Sequence, residues 1–218
     1  MGLFDFFKKI LNIEENKDTG SKEFNIAEKV VLNTYDLVSE AVGGESKAVT
    51  SAEKWIVATY AMWSEYNGGK WYKIGGHEKN EMERNALRKL LSRDWQINDK
   101  DEGLDIVVNL ISTRIHNNIE ADAWDYCRAM QLLGMFYISD YLEREEMMEY
   151  ASEVAEVIKE NYNSWEEMCE SYLKGYAAWR NRVDAKTAQK AIDERREIYN
   201  RLKNMPNGPY SLDWNTEV

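Results

Sequence analysis

From Phe24 onward, apolar residues return every three or four positions, the period of a helix with one buried face. Ala27, Val30, Val31, Thr34, Leu37, Val38 and Ala41 form the first such stripe, and Gly43 and Gly44 end it. Thr50 with Glu53 reads as a capping box opening a helix that carries Trp55, Ile56, Thr59, Met62, Trp63 and Tyr66. The glycine-rich NGGKWYKIGG that follows predicts a loop or a very short hairpin. A helix near residues 78–93 carries Met82, Ala86, Leu87, Leu90 and Leu91. Asp99 with Glu102 resembles a second box, ahead of Leu104, Val107, Val108, Ile111 and Ile115.

The next helix is expected from about Ala121 to Ile138, with Trp124, Cys127, Gln131, Gly134, Met135 and Ile138 on its inward stripe. After a turn near Asp140 comes a helix with Met147, Ala151, Val154 and Ile158. Ser164 with Glu167 is the clearest box, and starts a helix with Trp165, Met168, Tyr172, Tyr176 and Trp179 at spacings of three and four. A last helix over about 185–204 carries Ala188, Ala191, Ile192, Ile198, Tyr199 and Leu202. No stretch alternates with period two for long enough to demand a sheet. The expected fold is all-α: one compact bundle of about eight helices with short connections, over residues 24–204. Residues 205–218 hold both prolines and read as an irregular tail.

Ahead of the bundle, Leu3, Phe4, Phe7, Ile10 and Leu11 recur at helical spacing beside Lys8 and Lys9. Residues 1–23 therefore read as a short amphipathic helix and a polar linker. Such a segment can dock on its own domain, or touch a partner or a membrane surface. Phe6 stands where a myristoylation signal would place Ser or Thr.

Charge narrows the partners. With 28 Lys and Arg against 39 Asp and Glu, the formal charge is −11, a field that repels nucleic-acid phosphate and favours basic partners. No apolar run approaches the roughly 20 residues of a membrane span. Without a signal peptide or a CxxC, Cys127 and Cys169 are expected as reduced thiols in a cytoplasm.

The search for chemistry is sparse. His77–Glu78 begins like HExxH, but Glu81 occupies the second histidine position. No Glu-x-x-His pair, GxSxG elbow or phosphate-cradling glycine loop occurs. No cofactor, metal or catalytic residue is assigned. Mid-helix, both cysteines are expected to act as small buried hydrophobes. The stripe Trp165, Tyr172, Tyr176 and Trp179 fits core, protein interface or pocket alike.

The stretch AWDYCRAMQLLG, residues 123–134, gathers an acid, a thiol and a guanidinium beside an indole. Asp125 and Arg128 are three apart and can pair on one face, beside the buried stripe, with Arg128 near Trp124. Gly134 costs about 1 kcal/mol mid-helix relative to Ala, so a close neighbour is expected there. Gly175 is in the same position, and the two helices are expected to cross near these glycines.

The order LSRDWQI, AWDYCRA, DYLEREEMMEYA and NSWEEMCESYLKGYAAW resembles the bacterial domain of unknown function 1266. The positions that carry it are Trp95 and Ile97; Trp124, Asp125 and Arg128; Tyr141 and Leu142; Ser164, Trp165, Tyr172, Gly175 and Trp179. They span roughly Leu87 to Trp179. Gln96 stands in place of the family's Gly, Met168 in place of a Phe, and Tyr176 in place of an Arg. The first two are expected to be easy in a core; the third removes a charge. The resemblance implies a helical domain with an Asp–Arg pair and brings no established reaction. Neighbourhood to secretion and toxin genes in such families makes an immunity or antitoxin role one reading. Three functions follow: a non-catalytic interaction module for a basic protein, an enzyme of unrecognised type using Asp125 and Arg128, and a membrane-peripheral adaptor acting through residues 3–11.

Overall fold

The computed structural model describes residues 44–116 and 123–218. The amphipathic segment with Leu3, Phe4, Phe7 and Ile10, and the stripe over 27–41, lie outside the described residues. Eight α-helices occur among the described residues: α1 Ser51–Thr59, α2 Ala61–Tyr66, α3 Glu81–Leu90, α4 Lys100–His116, α5 Ala123–Ile138, α6 Arg144–Asn161, α7 Trp165–Val183 and α8 Ala185–Lys203. No strand forms among them, so the bundle is all-α as the periodicity predicts.

The caps act where the sequence places them. Thr50 accepts the Glu53 N–H at 3.1 Å, and the Glu53 carboxylate accepts the Val49 and Thr50 N–H groups at 2.7 and 3.0 Å. Ser164 accepts the Glu167 N–H at 3.2 Å, while Glu167 reaches back to the Asn163 N–H at 2.9 Å. Each arrangement satisfies donors that a helix start leaves orphaned.

Helix α5 is the centre. From Ala123 to Ile138 every residue but Arg128 is buried, and α4, α6 and α7 pack around it. Its fourth neighbour is the short turn Ile74–Gly76 in the glycine-rich loop. That loop forms no hairpin with itself. It pairs instead with the segment before α1: Ala48 N–H donates to Tyr72 O at 3.0 Å, and Ile74 N–H to Ser46 O at 2.7 Å.

The neighbour of Gly134 corrects the expected crossing of two glycines. A Cβ on Gly134 would lie 2.7 Å from the Gly75 backbone nitrogen and 2.9 Å from the Tyr60 hydroxyl. The glycine is thus filled by a loop rather than by α7. Gly75, at φ +66°, turns there as only glycine does readily. Gly175 is buried in α7, and α7 does pack on α5, but through aromatic rings.

Two boundaries differ from expectation, each for an identifiable reason. The helix expected through Tyr66 breaks at Tyr60, whose φ of −115° is not helical. Its ring is buried and its hydroxyl accepts the Gly75 N–H at 3.1 Å, a tertiary contact that overrides helix continuity. Helix α3 widens into a π turn over Leu91–Trp95 and stops at Gln96, φ 59° and ψ 31°. Gln96 is exposed and left-handed, not in a core. A glycine, which the resemblance implies here, would suit this backbone, which costs a residue with a Cβ roughly 1–2 kcal/mol.

The tail from Met205 is irregular apart from the turn Pro209–Ser211, yet it is docked: Trp214 is buried against Trp55 and Trp165, at 5.4 and 4.9 Å between ring centroids.

Candidate functional site

The first two turns of α5 carry Trp124, Asp125 and Arg128. Arg128 Nη1 donates to Asp125 Oδ1 at 3.0 Å, the expected pair. The Asp125 side chain is 13% exposed and that of Arg128 24%, so the pair is largely covered. The π turn delivers Trp95 to the same place. The guanidinium stands 4.7 Å from the Trp95 ring and 5.4 Å from that of Trp124, a cation wedged between two indoles.

From the other side α7 closes the cluster. Trp124 lies 5.3 Å from Tyr172, 5.2 Å from Tyr176 and 5.6 Å from Trp179. The structure therefore unites Trp95, Trp124, Asp125, Arg128, Tyr172 and Trp179, drawn from three separated stretches. It does not bring in Ser164, Trp165 or Gly134. Ser164 caps α7, Trp165 packs on Trp55 and Tyr210, and Gly134 meets Gly75.

As chemistry this cluster offers little reactivity. Cys127 and Cys169 are both buried thiols, and burial pushes Cys169 up to about 12. At neutral pH such a thiol is almost wholly protonated and a poor nucleophile. Burial also holds the Tyr172 phenol well above its usual range, although the Arg195 charge opposes that. His77 stands apart on the surface, with Nδ1 3.4 Å from the Glu83 carboxylate. Among the described residues, no group of three His, Cys, Asp or Glu is placed to hold a metal, and no helix is long and apolar enough to cross a membrane. The arrangement suits an interlock that fixes how the Trp95 turn, α5 and α7 meet.

One residue of this region escaped the sequence reading. Arg195 on α8 is only 3% exposed. Its guanidinium lies 3.9 Å from the Tyr66 ring and 4.4 Å from that of Tyr176, donates to the Tyr172 hydroxyl, and leaves Nε without a partner. The signal was present: Arg195 is four residues from both Ala191 and Tyr199, on the inner stripe of α8.

Beside this cage an open cleft of about 640 Å³ runs between α2 and α8. Glu65 and Tyr66 line one side; Glu194, Glu197, Ile198 and Arg201 line the other. Arg201 reaches across to Glu65 at 2.9 Å and ties the walls together. Three carboxylates against one guanidinium leave the lining acidic.

A family model described as "Protein of unknown function (DUF1266)" matches residues 48–214. The match takes in α1 and the docked tail as well as the motif stretch from Leu87 to Trp179. No curated protein and no solved structure matches the chain.

Proposed function

The chain belongs to the DUF1266 family, which carries no assigned reaction, and from that premise we propose that it is a non-catalytic interaction module whose partner is a basic protein. The observation that carries this reading is the acidic cleft between α2 and α8. It is a concave, open space in which a lysine or arginine of a partner meets the Tyr66 ring and the carboxylates of Glu194 and Glu197. The overall charge of −11 draws a basic partner toward it. The covered Asp125–Arg128 pair, bound to its own neighbours, supports the same conclusion from the other direction. Masking of a basic toxin, as an immunity protein does, is the specific form that fits this acidity.

The test is affinity purification from the native cell with the wild-type chain and with Glu194→Lys/Glu197→Lys. The wild type recovers a basic protein, and the double charge reversal weakens its binding on the order of tenfold or more, with a steep dependence on salt. Equal binding by both chains, or turnover of a substrate with no protein partner, would overturn the reading.

A further inference from the structure

The docked tail is held in an unusual way. Three side-chain donors from three helices each grip a backbone carbonyl in it. Trp165 Nε1 of α7 donates to Leu212 O at 2.8 Å, Trp55 Nε1 of α1 to Trp214 O at 2.9 Å, and Lys159 Nζ of α6 to Thr216 O. The carbonyls taken are those of alternate residues, 212, 214 and 216. Between them the Trp214 ring enters an indole pocket, edge-on to Trp165. Lys159 also lies 4.7 Å from the Trp55 ring, so the gripping groups brace one another.

Three backbone N–H groups of the strap, residues 209–218, bond to its own turns or to Gly208 at its head. Ser211 N–H donates to Gly208 O, Thr216 N–H to Asp213 O, and Asn215 N–H to the Asp213 carboxylate. It is a turn seated in a groove, reached from α8 through Asn207 at φ +54°. Donors that read carbonyls, with seats for two aromatic anchors, Trp214 and Tyr210 (5.7 Å from Trp165 and 5.8 Å from Tyr199), are the parts of a peptide-recognition site: main-chain bonds give affinity and the aromatic seats give specificity.

We propose that the groove formed by Trp55, Lys159 and Trp165 is a recognition site for a tryptophan-bearing turn, filled in cis by the strap. The strap opens as a unit while the helices stay folded, and the vacated groove accepts the same turn from a second copy of this chain. Exchange of an identical element between copies needs no new complementarity, because the contacts already exist.

Two measurements on the full chain test this. In native-state hydrogen exchange, amides of residues 211–216 exchange at least a hundredfold faster than those of α5, through an opening that leaves α5 protected. Equal protection, lost only on global unfolding, would overturn the proposal. In the second, a fluorescent peptide with the sequence of residues 207–218 stands in for the second copy's strap. It binds Trp214→Ala at least tenfold more tightly than the intact chain, because a weakened cis ligand competes less and apparent affinity scales with the open fraction. Lys159→Ala on top of Trp214→Ala removes most of that gain. Should Trp214→Ala not fold, the exchange measurement decides alone. No binding of the peptide to folded Trp214→Ala, at concentrations up to millimolar, would likewise overturn the proposal.

Discussion

Replacing Arg144 with alanine should be among the most damaging single changes in the protein. Arg144 stands at the start of α6 and ties the chain entering α1 to the bundle. Its guanidinium meets Glu53 Oε1 at 2.7 Å and donates to Glu45 O at 2.7 Å and Lys47 O at 3.0 Å. The Glu53 side chain is 6% exposed. Burial alone would raise its pKa; the Arg144 hydrogen bond and charge, helped by the Thr50 and Val49 N–H groups, outweigh that and bring it below the usual range. Removing Arg144 leaves a buried carboxylate with only two N–H partners and takes a donor from two carbonyls, of which Glu45 O keeps the Tyr137 hydroxyl. Breaking a buried pair in this way costs roughly 3–5 kcal/mol, and at about 2–4 °C per kcal/mol for a chain of this size the midpoint should drop by about 6–20 °C. Thermal and urea melts read this, and a cycle with Glu53→Gln isolates the coupling.

The sign with pH is fixed by the same contacts. Because the folded pKa of Glu53 lies below its unfolded value, the pair stabilises the wild type above the unfolded value. That contribution disappears as the pH falls through the folded one. The gap between wild type and Arg144→Ala should therefore be widest near neutrality and narrow in acid. A loss under 1 kcal/mol at pH 7, or a gap that stays constant down to pH 3, would refute the reasoning.

Other changes follow from single contacts. Gln96→Gly should stabilise the fold by about 0.5–1 kcal/mol in urea melts, the left-handed backbone outweighing the extra freedom of glycine when unfolded. Gly134→Ala should destabilise it by about 1–3 kcal/mol, since the new Cβ meets the Gly75 backbone and neither side can give way easily. Glu153, raised to about 7 by burial and by Glu156 and Glu149, should make the wild type lose stability as the pH rises through 7; Glu153→Gln should flatten that slope and be the more stable form at pH 8. A thiol reagent should leave Cys127 and Cys169 untouched in the native chain and label both in denaturant, as read by absorbance.

Periodicity made α6, α7 and α8 legible because each buries one face, whereas α5 is buried nearly all round and α3 buries only Leu87, its expected stripe member Met82 standing 74% exposed. It failed where one side chain decides the backbone: Tyr60 breaks a helix to reach Gly75, and the π turn at Leu91–Trp95 exists to seat Trp95 beside Arg128. The capping box at Thr50 and the N-cap of Ser164 were readable because their bonds are local, although Glu167 reaches the Asn163 N–H rather than closing the expected box on Ser164 itself. The partner of Gly134 was not, since 59 residues separate it from Gly75 and glycine carries no pattern of its own. The Asp125–Arg128 pair was legible from its spacing of three, and its indole sandwich only half so: Trp124 is adjacent, whereas Trp95 arrives from another element. Arg195 went unseen because a stripe is ordinarily read through its apolar members. The cleft between α2 and α8 joins residues 65–66 to residues 194–201, a juxtaposition that only the fold supplies.

Under the proposed function two regions have separate roles: the motif cluster holds helices together, and the cleft between α2 and α8 takes the partner. One titration of the purified basic partner against three chains tests that division. Glu194→Lys/Glu197→Lys should lose on the order of tenfold in affinity with its melting curve nearly unchanged, since beyond the cleft rim it breaks only the exposed Glu194–Lys190 pair. Arg128→Lys cannot reproduce a planar guanidinium between two rings, so it should melt earlier and bind as tightly as wild type once folded. The opposite pattern, with affinity lost at Arg128 and retained in the cleft variant, would contradict the account.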